Sequence, residues 1–133
     1  MTSFTSIETL EAWKVARELR KRIAALTEKF PAEERFRLTD QILRSSRSVP
    51  ANIAEGFGRF HYQENIQFCR QARGSLVETL EHLICAHDEG YVDETTLAEY
   101  RAFIEHCLKI LNGYISYLMK ANKMNKTPAT ATQ

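Results

Sequence analysis

Apolar residues recur every three or four positions through almost the whole chain, and nowhere does the sequence alternate apolar and polar in the way a half-buried strand requires. That single pattern restricts the chain to helices. The first stretch begins near Thr5 or Ser6, where Thr5 and Glu8 have capping-box spacing, and runs to Lys29 with Ala12, Ala16, Leu19, Ile23, Leu26 and Phe30 on one side. Pro31 stops it. The second runs from about Thr39 to Phe60 on Leu38, Ile42, Val49, Ile53, Phe57 and Phe60, with Ser46 and Gly56 filling the same face. The third spans about Gln63 to Glu89 on Phe68, Ala72, Leu76, Leu80, Leu83 and Ala86, and Gly90 supplies its C-terminal cap. Asp93 caps a fourth, which carries Leu97, Tyr100, Ile104, Leu108, Leu111, Ile115 and Leu118 to about Asn122.

Four helices joined by short turns predict an all-α, up-down-up-down antiparallel four-helix bundle. One domain over 1–122 is expected, because 133 residues are enough to bury one core without staples. The small polar residues of 123–133 predict a disordered tail.

Residues 47–59, RSVPANIAEGFGR, interrupt this pattern with a proline and two glycines. The three-to-four spacing nevertheless keeps its phase on both sides of Pro50, so the stretch reads as a kinked helix rather than a loop. Pro50 removes one backbone bond and crowds the carbonyl of Ser46, which costs about 3 kcal/mol if nothing compensates. Ser45, Ser46 and Ser48 stand where a hydroxyl or a water would satisfy that carbonyl. Gly56 and Gly58 suggest a backbone passing close by, as does Gly74 on the third helix. At 100° per residue, Arg44, Ser48, Asn52, Glu55 and Arg59 share an arc of about 80° beside the apolar face. Such a flank is either an intrachain polar stripe or a contact surface, with Arg47, Pro50, Asn52, Glu55, Gly56 and Arg59 as the packing or oligomer candidates.

The net charge of +1 conceals an uneven distribution. Ala12 to Phe60 holds eleven Lys and Arg against six acids, whereas His61 to Asn122 holds five against nine. A basic half and an acidic half either draw a polyanion or steer copies of the chain together front to back. Lys14, Arg17 and Lys21 form one helical stripe, and with Arg44 and Arg47 they are the candidate nucleic-acid contacts.

Catalytic arrangements are scarce. No Glu-x-x-His occurs, as a ferritin-like di-iron bundle would need, and neither G-x-S-x-G nor a phosphate-binding glycine loop is present. Glu78 and His82 at i, i+4 beside Cys85 read as a surface ion pair near a core cysteine rather than a metal site. Cys69, Cys85 and Cys107 form no CxxC pair, and Cys69 and Cys85 would lie about 24 Å apart on one helix, so reduced thiols are expected. No metal and no cofactor is called for. The first residues lack the basic and apolar regions of a signal peptide, and no apolar run is long enough for a bilayer, which predicts a cytoplasmic protein.

Specific stretches resemble a known family. They are L-x-x-W-K-x-A at Leu10–Ala16, FP-x-E at Phe30–Glu33, QILRSSRSVPANIAEGFGR at Gln41–Arg59, ARGSLVETL at Ala72–Leu80 and the Gly90-Tyr91 pair. Together they resemble the bundle proteins encoded in intervening sequences of bacterial 23S rRNA genes, also called S23 ribosomal protein-like. Arg37 departs from the glycine usual before Leu38, and Arg59 to Glu64 lacks the usual small polar residue. The resemblance implies a bacterial cytosolic homopentamer of unassigned role, and the scarcity of catalytic arrangements makes a non-enzymatic scaffold the expectation. Through a related branch, the accessory proteins of diversity-generating retroelements, it also implies the alternative of a ring that binds RNA or DNA.

Overall fold

The computed structural model describes residues 6–132, with side chains through Asn125. Four α-helices account for most of it: α1 (Glu11–Thr27), α2 (Leu38–Gly58), α3 (Tyr62–Asp88) and α4 (Glu94–Thr132). No strand occurs among the described residues. Each helix packs on the next, and α1 closes against α4. The apolar stripes meet in one core in which Leu19, Ile23, Ile42, Val49, Ile53, Leu83 and Ile104 are fully buried.

Direction is read from paired residues. Ser45 meets Thr79 while Ser48 meets Ser75, so residue numbers fall on α3 as they rise on α2. Val15 and Arg22 of α1 likewise meet Cys107 and Tyr100 of α4. Both pairs of helices are antiparallel.

The termini follow local chemistry, with two departures from the sequence reading. Ser6 accepts a hydrogen bond from the Glu8 amide, but it caps only a short 3-10 turn (Ile7–Thr9), and α1 starts after Leu10. Thr5 lies outside the described residues. At the other end of the fold the expectations hold: the Asp93 carboxylate accepts from the Thr96 amide at 2.7 Å. Gly90 adopts φ 83°, and the amides of Gly90 and Tyr91 donate back to the carbonyls of His87 and Ala86, the pair of hydrogen bonds that closes a helix on a left-handed residue. The trace of α4 continues past Asn122 to Thr132, and the side chains from Lys126 onward, most of the predicted tail, lie outside the described residues.

α2 remains helical through Pro50, which is itself buried. The serines before it do not serve the Ser46 carbonyl as anticipated. Ser45 and Ser46 donate instead to the carbonyls of Ile42 and Leu43, and the Ser48 hydroxyl accepts from Asn52 and Ser75. The glycines also divide. A Cβ on Gly56 would stand 2.8 Å from Asn65 Oδ1 and 2.9 Å from Phe68 Cβ, whereas one on Gly58 or Gly74 would meet nothing within 4 Å. Only Gly56 serves close packing within the chain. Phe60, counted on the inward face, is 74% exposed, because α2 ends at Gly58 and the chain turns with Phe60 at φ 57°.

Glu34 ties the two connections at one end of the bundle. One carboxylate oxygen accepts from the Leu38 amide at the start of α2, and the other from the Tyr91 hydroxyl at 2.7 Å. The Tyr91 bond and then the Leu38 amide hold the Glu34 carboxyl below its ordinary pKa, while the same carboxylate pushes Tyr91 up to about 12. A depressed carboxyl contributes stability above its unfolded pKa, and the contribution is lost as pH falls through the folded value.

Two sets of variants check this account. Gly56→Ala should destabilise the fold by about 1–3 kcal/mol in denaturant titrations, while Gly113→Ala on α4, where a Cβ also meets nothing, should stabilise it by up to about 1 kcal/mol. Tyr91→Phe should lower the thermal midpoint at neutral pH, and the difference from wild type should shrink as the pH falls through the depressed range of Glu34.

Candidate functional site

The seam between α2 and α3 absorbs part of the polar flank read from the sequence. Asn52 Nδ2 donates to both the carbonyl and the hydroxyl of Ser48 at 2.9 and 2.8 Å, and Ser75 on α3 donates to the same hydroxyl. Glu55 pairs with Arg59 at 2.9 Å. Arg59 also reaches Glu64 and lies over the Phe68 ring. Arg44 pairs with Asp40 on its own helix at 3.7 Å. Among the proposed contact residues, Gly56 thus serves the α2–α3 packing, Asn52 holds the Ser48 hydroxyl that meets α3, and Arg59, paired with Glu55, reaches Glu64 across the turn between the two helices. These exposed pairs contribute little individually, since water screens them.

Arg47 and Pro50 face the other way, toward α1. With Trp13, Arg20, Ala51 and Ala54 they line an open groove of about 400 Å³ between the two helices. The groove has an apolar floor and two guanidinium groups. Lys14, Arg17 and Lys21 are exposed on the adjoining face of α1, with Arg17 poised over the Trp13 ring at 5.8 Å from its centroid. Lys14, Arg17, Arg20, Lys21 and Arg47 form no ion pair with an acid among the described residues, in contrast to Arg22, Arg44 and Arg59. The structure therefore joins most of the predicted cations on one face and sets Arg44 apart beside Asp40. Trp13 and Arg20 were missing from the sequence-derived set. The i, i+7 spacing of these two residues puts them on one side of α1, but only the approach of α2 makes a groove of them.

A second recess of about 420 Å³ lies at the end of the bundle where α2 turns into α3, lined by Phe57, Phe60, Tyr62, Asn65, Tyr114 and Tyr117 among others. Tyr114 receives a hydrogen bond from Asn65 at 3.0 Å and stacks on Tyr117.

Residues 8–113 match the family model described as 23S rRNA-intervening sequence protein. The chain belongs to that family. The match takes in α1, α2 and α3 whole together with the first half of α4, so the α1–α2 groove and the α2–α3 seam both lie inside what defines a 23S rRNA-intervening sequence protein. No curated protein matches the chain.

The shifted titratable groups of this family member owe their shifts to burial, hydrogen bonds and neighbouring charges within the fold. Burial pushes the thiols of Cys69 and Cys107 up to about 11 and about 12, and Cys85 is raised mainly by burial and then by the acids around it. Such thiols are poor nucleophiles at neutral pH. His82 and Glu78 stand 3.3 Å apart as a surface pair, and no cluster of three or more metal-ligating side chains occurs among the described residues. No helix among them is long and apolar enough to cross a membrane.

Proposed function

We propose that the chain is a non-enzymatic bundle that assembles with copies of itself into a cytoplasmic scaffold, a ring of five as the family resemblance implies, with α2 bent at Pro50 to shape the subunit contact. The observation that carries this reading is the unpaired cationic face of α1 and α2 in a chain whose acids gather in the other half. A chain that is nearly neutral overall and yet polarised attracts its own copies without repelling them at long range. The side of α2 turned toward the groove, exposed Arg47 and Ala51 beside the buried Pro50, supplies surface that no ion pair among the described residues consumes.

A second reading has its own support. Lys14, Arg17, Lys21 and Arg47, with Arg44 along the same helix as Arg47, would meet RNA or DNA phosphates, and Trp13 would offer a ring for a base to stack on. A ring would repeat that patch in every copy and raise its avidity.

Light scattering across a salt series separates the two. The scaffold reading predicts a mass several times that of one chain, falling as salt screens the contact; a monomer at every concentration contradicts it. Within the oligomer, Asn52→Ala and Glu55→Ala should reduce the mass while helicity stays intact if the α2 flank supports assembly, and unchanged mass returns both residues to purely intrachain roles. Labelled RNA retained at low salt and released as salt rises would instead carry the second reading.

A further inference from the structure

Two surfaces of this chain fit each other. The first is the α1–α2 groove, whose floor is Pro50, Ala51 and Ala54, whose wall is Trp13 and whose charged members are Arg20 and Arg47. The second is the outer ridge of α3, where Gly74, Val77, Glu78 and Glu81 follow one another at helical spacing and all face solvent.

That ridge is oddly built for a solvated face. Val77 is 54% exposed and followed by the carboxylates of Glu78, which pairs with His82, and Glu81; Arg73 and Arg70 precede it, and Gly74 one turn earlier weakens the helix although a Cβ there would meet nothing within 4 Å. Within the chain, no helix uses the close approach that Gly74 allows. A small residue, an apolar knob and two acids in the turn beyond it are the shape and charge that an apolar groove carrying two arginines accepts.

We propose that the α3 ridge of one copy docks in the α1–α2 groove of the next. Val77 sits on the Trp13, Ala51 and Ala54 surface, Gly74 lets the backbones approach, Glu81 meets Arg47 and Glu78 meets Arg20. Because the two patches are different and do not overlap, the contact is head-to-tail, the type that closes into rings. The inference rests on the homo-oligomer reading and adds to it the residues that meet. Charge complementarity selects a second copy over a nucleic acid as occupant. Phosphates would satisfy the arginines but leave the Val77 knob and the methyl-lined floor without a role.

Trp13 is the only tryptophan of the chain, so its emission reports on the groove directly. Fluorescence and light scattering are followed together on the full chain during dilution, with circular dichroism as the check on folding. The expected result is a red shift of Trp13 emission as the oligomer dissociates. Arg47→Glu and Glu81→Arg should each weaken association at least tenfold, and the double variant carrying both reversals should recover to within a few-fold of wild type. Oligomers that persist in both single variants, with Trp13 emission unchanged on dissociation, would overturn the docking while leaving the homo-oligomer reading in place. A wild-type chain that is monomeric throughout would overturn that reading and the docking with it. A single-stranded oligouridylate that shifts Trp13 emission on a chain that stays monomeric would also overturn it and assign the groove to RNA.

Discussion

The close approach of α2 and α3 at Gly56 governs how the rest of the bundle is arranged. With no side chain at that position, Asn65 and Phe68 sit against the α2 backbone, and the buried Asn65 goes on to bond Tyr114 of α4. Two helical turns or more away, the seam is polar again: Ser45 and Thr79 share a buried hydrogen bond at 2.8 Å, and Ser48 and Ser75 a half-buried one at 2.9 Å. A buried hydroxyl that loses its partner costs about 1–3 kcal/mol, and sliding α3 along α2 would break both bonds at once. Apolar side chains alone would tolerate such a slip far better, because their attraction has no direction. The seam thus sets register, and register sets which faces of α1 and α2 remain turned to solvent.

The free surface follows from that commitment. α2 places Asn52, Ser48 and Gly56 on the α3 side, which leaves Arg47, Pro50 and Ala51 to line the groove on the α1 side. The residues that make the RSVPANIAEGFGR stretch distinctive therefore divide between two jobs. Some hold a helix of the same chain, and others shape a surface that nothing in the chain covers. Family membership fits this division, since the matched region contains both the seam and the groove.

Apolar spacing made the helices and their inward faces legible, and Gly90 and Asp93 announced the ends beside them because each acts through its own backbone neighbours. Interactions between elements were not legible in the same way. Gly56, Gly58 and Gly74 look alike in sequence, and only the position of α3 shows that one of them is indispensable and two face open space. Asn65 and Thr79 are buried polar residues that an apolar pattern passes over. Phe60 continued the spacing of α2 on paper, but the chain had already turned. On the candidate surface the cationic stripe was visible as a period, whereas the groove needed two helices at once, and so the place of Trp13 and Arg20 in it came to light only with the fold.

Native-state hydrogen exchange tests most directly whether the α2–α3 seam is the element on which the bundle depends. Amides of α2 from Ile42 to Ile53 and of α3 from Cys69 to Leu83 should be the slowest to exchange and should open together, only in the global unfolding transition. Exchange of α2 in a separate, lower-energy opening that leaves α3 protected would contradict the account.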